Sequence, residues 1–194
     1  MSGEGIEAIA IGASAGAVQA LSRILPTLPA NYPFPVLIVV HVPADRSDLM
    51  APLFQSKCRM IVKEAEDKEP VSPGVVYFAP PDYHLLVEAD RTLSLSADEP
   101  VLYSRPSIDV LFESAADAYG DGLVGIILTG ANEDGAEGLS AVYDAGGTAL
   151  VEDPEDAFSS TMPSAALARR REARVLSLDG IADYLKGLKG RRAS

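Results

Sequence analysis

Short apolar runs recur along this chain, and segments with helical spacing lie between them. VLIVV at 36–40 and VGIIL at 124–128 suit fully buried strands, and TALVE at 148–152 follows the same pattern. Strand alternating with helix requires a parallel sheet, because parallel neighbours need a long crossover and the crossover is usually helical. The expected fold class is therefore α/β: a doubly wound, mainly parallel sheet with helices on both faces. Strands are expected at 6–12, 36–41, 60–65, 74–80, 123–129 and 148–152. Helices are expected at 17–25, 47–56, 107–120, 134–145, 164–171 and 181–188. Ser107 reads as the N-cap of the third helix and Gly120 as its stop. HLLVEADRTLSLSA at 84–97 alternates around Ala89-Asp90-Arg91 and predicts an antiparallel hairpin added at the sheet edge.

No apolar run approaches the ~20 residues of a membrane span, so membrane insertion is not expected. The start, MSGEGIEAIAIG, lacks the basic region of a signal peptide. A single cysteine, Cys58, excludes an intrachain disulfide and fits a cytoplasmic location, with a buried or half-buried core position expected for it. The formal net charge of −12 opposes nucleic-acid binding. The charge is uneven: residues 169–194 carry eight Lys or Arg against three Asp or Glu. That basic end, with RRR at 169–171 and KGRR at 189–192, reads as a solvated tail or as a dock for an acidic partner. At 194 residues and 47% hydrophobic content, with no repeat or linker, the chain reads as a single domain over 1–194, its core at about 5–178.

In an open α/β sheet, sites form beyond the carboxyl ends of the strands. Three polar residues stand there: Ser14 in IAIGASAGAVQAL, His41 ending VLIVVH, and Asp134 in TGANEDGAEGL. Gly12-Ala13-Ser14-Ala15-Gly16 fits the G-x-S-x-G spacing of a nucleophile elbow. A serine is a poor nucleophile until an imidazole takes its proton, and the imidazole needs a carboxylate to fix its tautomer. The backbone N–H of Ala15 suits a developing oxyanion. Each residue also has a plainer role open to it. Ser14 suits a helix cap, His41 a structural histidine, and Asp134 an N-cap or Asx turn, with Glu133 as the alternative orienting carboxylate. His84, at the hairpin start, reads as structural.

A phosphate cradle fits worse, since GASAGA lacks G-x-G-x-x-G and no GK[ST] follows. Two histidines 43 positions apart with one cysteine offer no metal-ligand spacing. No metal is expected.

These segments together resemble the catalytic domain of the CheB-type chemotaxis protein-glutamate methylesterases. The resemblance rests on GASAG around Ser14, VLIVVHVP around His41, VKEAEDKEPVSPGVVYFAPPDYHLLVE at 62–88, SRPSIDVLFESAA at 104–116 and ILTGANEDGAEGL at 127–139. It implies a serine hydrolase using Ser14, His41 and Asp134, with no cofactor. The implied reaction is hydrolysis of glutamate γ-methyl esters on the cytoplasmic helices of methyl-accepting chemotaxis receptors, with deamidation of receptor glutamines. Arg105 in SRPSID matches a position toward the active-site cleft, where it would contact substrate or simply pair with Asp109. Ala15 and Ala131 match positions beside the oxyanion.

The chain departs from the family pattern around the triad. Ala15 and Gly16-Ala17 replace a threonine and a double glycine, Thr129-Gly130-Ala131-Asn132 stands where T-G-M-G is usual, and Val40-His41-Val42 replaces Q-H-M. Family members commonly carry an N-terminal receiver domain. This chain starts at the catalytic domain's first strand: either a receiver domain has been trimmed away or the natural protein stands alone, the second slightly favoured, and a standalone form would be constitutively open or controlled by a separate regulatory partner. Two other readings follow from the departures: a CheB-like docking module with little esterase activity, and a hydrolase of small esters outside chemotaxis.

Overall fold

The computed structural model describes residues 4–43, 45 and 49–190. Seven strands form one parallel sheet: β2 (Ala8–Ala13), β3 (Val36–Val40), β4 (Ile61–Glu64), β5 (Val75–Phe78), β8 (Leu123–Ile127), β9 (Thr148–Glu152) and β10 (Arg174–Leu176), in the spatial order β10-β9-β8-β2-β3-β5-β4. Two short strands, β1 (Glu4–Ile6) and β11 (Lys189–Gly190), pair in parallel away from it, so the expected strand at 6–12 divides at Glu7.

The central strand shows why the sequence folds this way. In AIAIGA, Ile9, Ile11 and Ala13 enter one core, beside α1 (Ala17–Ile24) and α6 (Leu178–Gly187). Ala8 and Ala10 face the other core, beneath α3 (Ile108–Tyr119) and α4 (Ala136–Asp144), with α5 (Thr161–Arg169) adding Met162 and Ala166. The second face is small so that α3 can lie close. A Cβ on Gly12 would stand 2.4 Å from the Cγ2 of Ile108. Strand alternation thus sorts bulk to one face and close helix approach to the other.

The hairpin of β6 (His84–Val87) and β7 (Leu93–Ser96) is antiparallel, as expected. Its placement differs: it forms its own two-stranded sheet and does not extend the edge of the central one. Leu85, Val87 and Leu93 pack into the α3 core, and the hairpin bonds instead to the segment after β4, through Lys68 N to Leu93 O and Leu93 N to Glu69 O. Burial of its apolar face decided its position.

The core also extends past residue 178, because Ile181, Ala182 and Leu185 of α6 are buried. Much of the basic end is paired within the chain. Arg169 bonds Glu137, Arg170 bonds Asp144 and lies over Tyr143, and Arg174 lies over Tyr184. Arg191 and Arg192 fall outside the described residues, as do Ala44, Arg46, Ser47 and Asp48 of the loop before α2 (Met50–Gln55). Cys58 is half-buried. No helix among the described residues is long and apolar enough to cross a membrane.

Candidate active site

The chain runs from β2 to β3 on one side and later places β8 on the other side of β2, which makes the carboxyl ends of these strands a topological switch point. Ser14, His41 and the 129–134 loop leave those ends side by side. The ladder continues one residue beyond the strands to fix them: Ser14 N donates to Thr129 O at 2.9 Å and His41 N to Ala13 O at 3.0 Å.

Asp134 is fully buried, and its carboxylate accepts four hydrogen bonds. His41 Nε2 donates at 2.8 Å, Ser107 Oγ at 2.9 Å, Ile108 N at 2.6 Å and Asp109 N at 3.0 Å. Asp134 therefore does not cap its own helix, whose N-cap is Gly135 with no side-chain bond. It caps α3, where unsatisfied N–H groups and the helix dipole favour a negative charge. Burial alone would raise its carboxyl, but the His41 bond and the Asp109 and Ile108 N–H groups outweigh that and hold it below the usual range. Glu133 is exposed and plays no such part.

Asp109 lies behind Asp134 and does not pair with Arg105. Its Oδ1 accepts from Gly135 N at 2.9 Å and Gly138 N at 2.7 Å, which fixes the entry of α4. Burial pushes its carboxyl up to about 6, with the Gly138 N–H pulling against it and the Asp134 charge adding to the rise. His84 is buried and fully bonded: Nδ1 accepts from Ser107 N at 3.1 Å and Nε2 faces Glu99 O at 3.0 Å. It is a support for Ser107, one step removed from Asp134.

Ser14 is 8% exposed, and its hydroxyl does not cap α1, whose N-cap is Gly16 without a side-chain bond. The Ser14 Oγ accepts from Ala131 N at 2.9 Å. Gly130 gives it room, since a Cβ there would stand 2.7 Å from the Oγ. The N–H of Ala15 makes no hydrogen bond with the described residues, while its carbonyl accepts from Thr129 Oγ1 at 2.8 Å. No hydrogen bond joins Ser14 to His41 among the described residues. The Nδ1 of His41 instead meets Asn132 Nδ2 at 3.3 Å.

Beside His41 opens a cleft of about 710 Å³, with Asp45, Asp82, Tyr103 and Arg105 in its walls. Tyr103 is fully exposed. Arg105 Nη1 donates to Ala97 O at 3.1 Å and Asp98 O at 3.2 Å, which leaves its buried Nε without a partner among the described residues. No group of three or more His, Cys, Asp or Glu side chains is arranged to hold a metal among the described residues.

The profile of the CheB methylesterase family matches residues 9–185. The chain belongs to the CheB methylesterase family. It is 49% identical over 177 residues to a Leptospira interrogans serovar copenhageni protein, covering 91% of this chain and 92% of that one. That protein is named as a candidate protein-glutamate methylesterase/protein-glutamine glutaminase. A Halalkalibacterium halodurans protein-glutamate methylesterase/protein-glutamine glutaminase is 40% identical over 180 residues, which are 91% of this chain and 52% of that longer protein. The crystal structure of the Thermotoga maritima CheB methylesterase catalytic domain superposes with a TM-score of 0.91 at 34% identity, covering 95% of this chain and 99% of that one.

Sequence reasoning named Ser14, His41 and Asp134, whose strand ends the structure places side by side, but missed the contacts of Ser107 and Asn132. Ser107 read only as a cap, and its proton is shared with a carboxylate 27 positions away. Asn132 stood out only as a departure in a loop. Its place two residues before Asp134, where an Asx turn forms, was the available signal.

Proposed function

We propose that this chain removes methyl esters from glutamate side chains of chemoreceptor cytoplasmic helices, and deamidates receptor glutamines, with Ser14 as nucleophile, His41 as general base and Asp134 as its orienting carboxylate. The observation that carries this reading is the 2.8 Å contact of His41 Nε2 with a buried carboxylate, at the strand end next to that of Ser14.

Asp134 holds the proton of His41 on Nε2, so Nδ1 carries the lone pair that takes the Ser14 proton. The Ser14 oxygen attacks the γ-carbonyl carbon, and the carbonyl electron pair moves to oxygen. The N–H groups of Ala15 and Ala131 are the donors for that oxyanion, Ala131 exchanging its bond from the serine to the substrate. His41 returns the proton to methoxide, methanol leaves, and an acyl-Ser14 remains. Water, deprotonated by the same imidazole, attacks the acyl carbon; the bond to the Ser14 oxygen breaks, His41 returns the proton to that oxygen, and the glutamate leaves as its carboxylate with the acid proton lost to solvent. With glutamine the leaving group is ammonia. Asp134 stays ionised and stabilises the imidazolium at each step. Arg105 contacts the acidic receptor surface at the cleft wall. The site of action is cytoplasmic.

Methanol release from methylated receptor tests this. Wild type is expected to release methanol and Ser14→Ala to lose release by at least ~10³-fold. Equal release by both would overturn the reading.

A further inference from the structure

The two hydrogen bonds of the 131–132 segment occupy both reacting atoms of the triad at once. Ala131 N–H donates to Ser14 Oγ at 2.9 Å, and Asn132 Nδ2 meets His41 Nδ1 at 3.3 Å. The orientation of the Asn132 amide is fixed by its other end: Oδ1 accepts from Asp134 N at 3.1 Å, so the NH2 group must face the imidazole. His41 Nε2 faces a carboxylate and therefore bears the ring proton. The Nδ1 lone pair is then an acceptor, and the Asn132 amide fills it.

An imidazole nitrogen of this kind has one in-plane lone pair and accepts one good hydrogen bond. The serine hydroxyl and the asparagine amide are thus alternative partners of the same atom. Proton transfer makes the conflict sharper. Once Nδ1 carries a proton it would face the amide's N–H, donor against donor, while Oδ1 is tied to Asp134 N.

We propose that Asn132 is a latch on the general base: its amide holds the His41 lone pair that Ser14 needs, and Ser14 is activated when the amide gives way. The inference rests on the triad reading above. It makes Asn132 a positioning residue that restrains catalysis, acting through His41 and without substrate contact. At 3.3 Å the bond is longer than the usual 2.9–3.0 Å, and Asn132 is only half-buried, so the latch can release without unfolding the loop.

The test is the rate of covalent inactivation by a fluorophosphonate from pH 6 to 9, with kcat and KM for methanol release from methylated receptor. Asn132→Ala removes the latch and is expected to be inactivated on the order of 5-fold faster, one net hydrogen bond's worth. The gain is expected in kcat with KM unchanged. Asn132→Asp keeps the acceptor for Asp134 N but turns a carboxylate oxygen toward Nδ1, which favours a protonated nitrogen there. It is expected to react more slowly than wild type at pH 7 and to recover as pH rises. The other charged groups about His41 among the described residues are Asp134 on Nε2 and Asp45, Asp82 and Arg105 in the cleft, and both variants leave them in place. Equal or slower inactivation of Asn132→Ala, with an unchanged pH profile for Asn132→Asp, would overturn the latch. If wild type itself shows no labelling that Ser14→Ala abolishes, the triad reading has failed and the latch with it.

Discussion

The two nitrogens of His41 face opposite surroundings. On the Nε2 side stands a carboxylate with no exposed surface, held by four donors from two segments of chain, His41 and residues 107–109. On the Nδ1 side stands a loop amide, that of Asn132, by a single bond, and its neighbour Ala131 makes the single bond to the Ser14 hydroxyl, both from the exposed to half-buried 131–133 stretch. The orienting half lies in the interior at a helix N-terminus, where low dielectric strengthens each bond and where an unpaired group is costly. The other half is held by single bonds, as the proposed reaction needs, since in it both partners change.

The comparison predicts that damage to the buried side is severe and damage to its outer supports mild. Asp134→Asn leaves the shape but removes the charge and lets an amide N–H face the ring. It is expected to lower kcat for methanol release by about 10⁴-fold, as loss of the orienting carboxylate does in other triads. A drop of less than tenfold would break the comparison. Gly12→Ala attacks the same side from beneath, because its Cβ would meet Ile108 at 2.4 Å and displace the α3 N-terminus that holds Asp134. Denaturant unfolding is expected to show a loss of roughly 1–3 kcal/mol, with activity reduced in the folded fraction.

Asp109 tests the charge balance of the buried side. Its carboxyl is raised by burial to about 6, above the ordinary value near 4 that it has when unfolded. Between those values the native state keeps a proton that the unfolded chain has released, so stability falls as pH rises from about 4 to about 6. Relative to Asp109→Asn, wild type is expected to lose on the order of 2 kcal/mol across that window, read from unfolding midpoints. A parallel pH dependence for the two proteins would show that Asp109 titrates normally. Ser107→Ala is the mildest change, removing one of the four donors on Asp134. About 1 kcal/mol of stability and a several-fold loss of kcat are expected.

The same contrast explains what was legible in the sequence. Strands β2, β3, β5, β8 and β9 declare themselves as short apolar runs because both their faces are buried. β10 does not, since Arg174 and Val175 sit exposed at the sheet edge and show no buried pattern. α5 begins three residues before its expected start because Pro163 falls in its first turn, where a missing N–H leaves no bond unmade. The strand-end positions of Ser14, His41 and Asp134 could be read from spacing and topology alone. That Asp134 caps α3 could not, because the donors lie 25 to 27 positions away and meet it only through packing. Nor could the Asn132–His41 contact, which joins residues 91 positions apart.

The central claim is that Ser14 is a nucleophile activated by His41. The most direct measurement is peptide mass spectrometry after reaction with a fluorophosphonate, on wild type, Ser14→Ala and His41→Ala. The adduct is predicted on Ser14 of wild type, absent from Ser14→Ala and nearly absent from a folded His41→Ala. An unlabelled wild type, or labelling of Ser14 that persists without His41, would contradict the account.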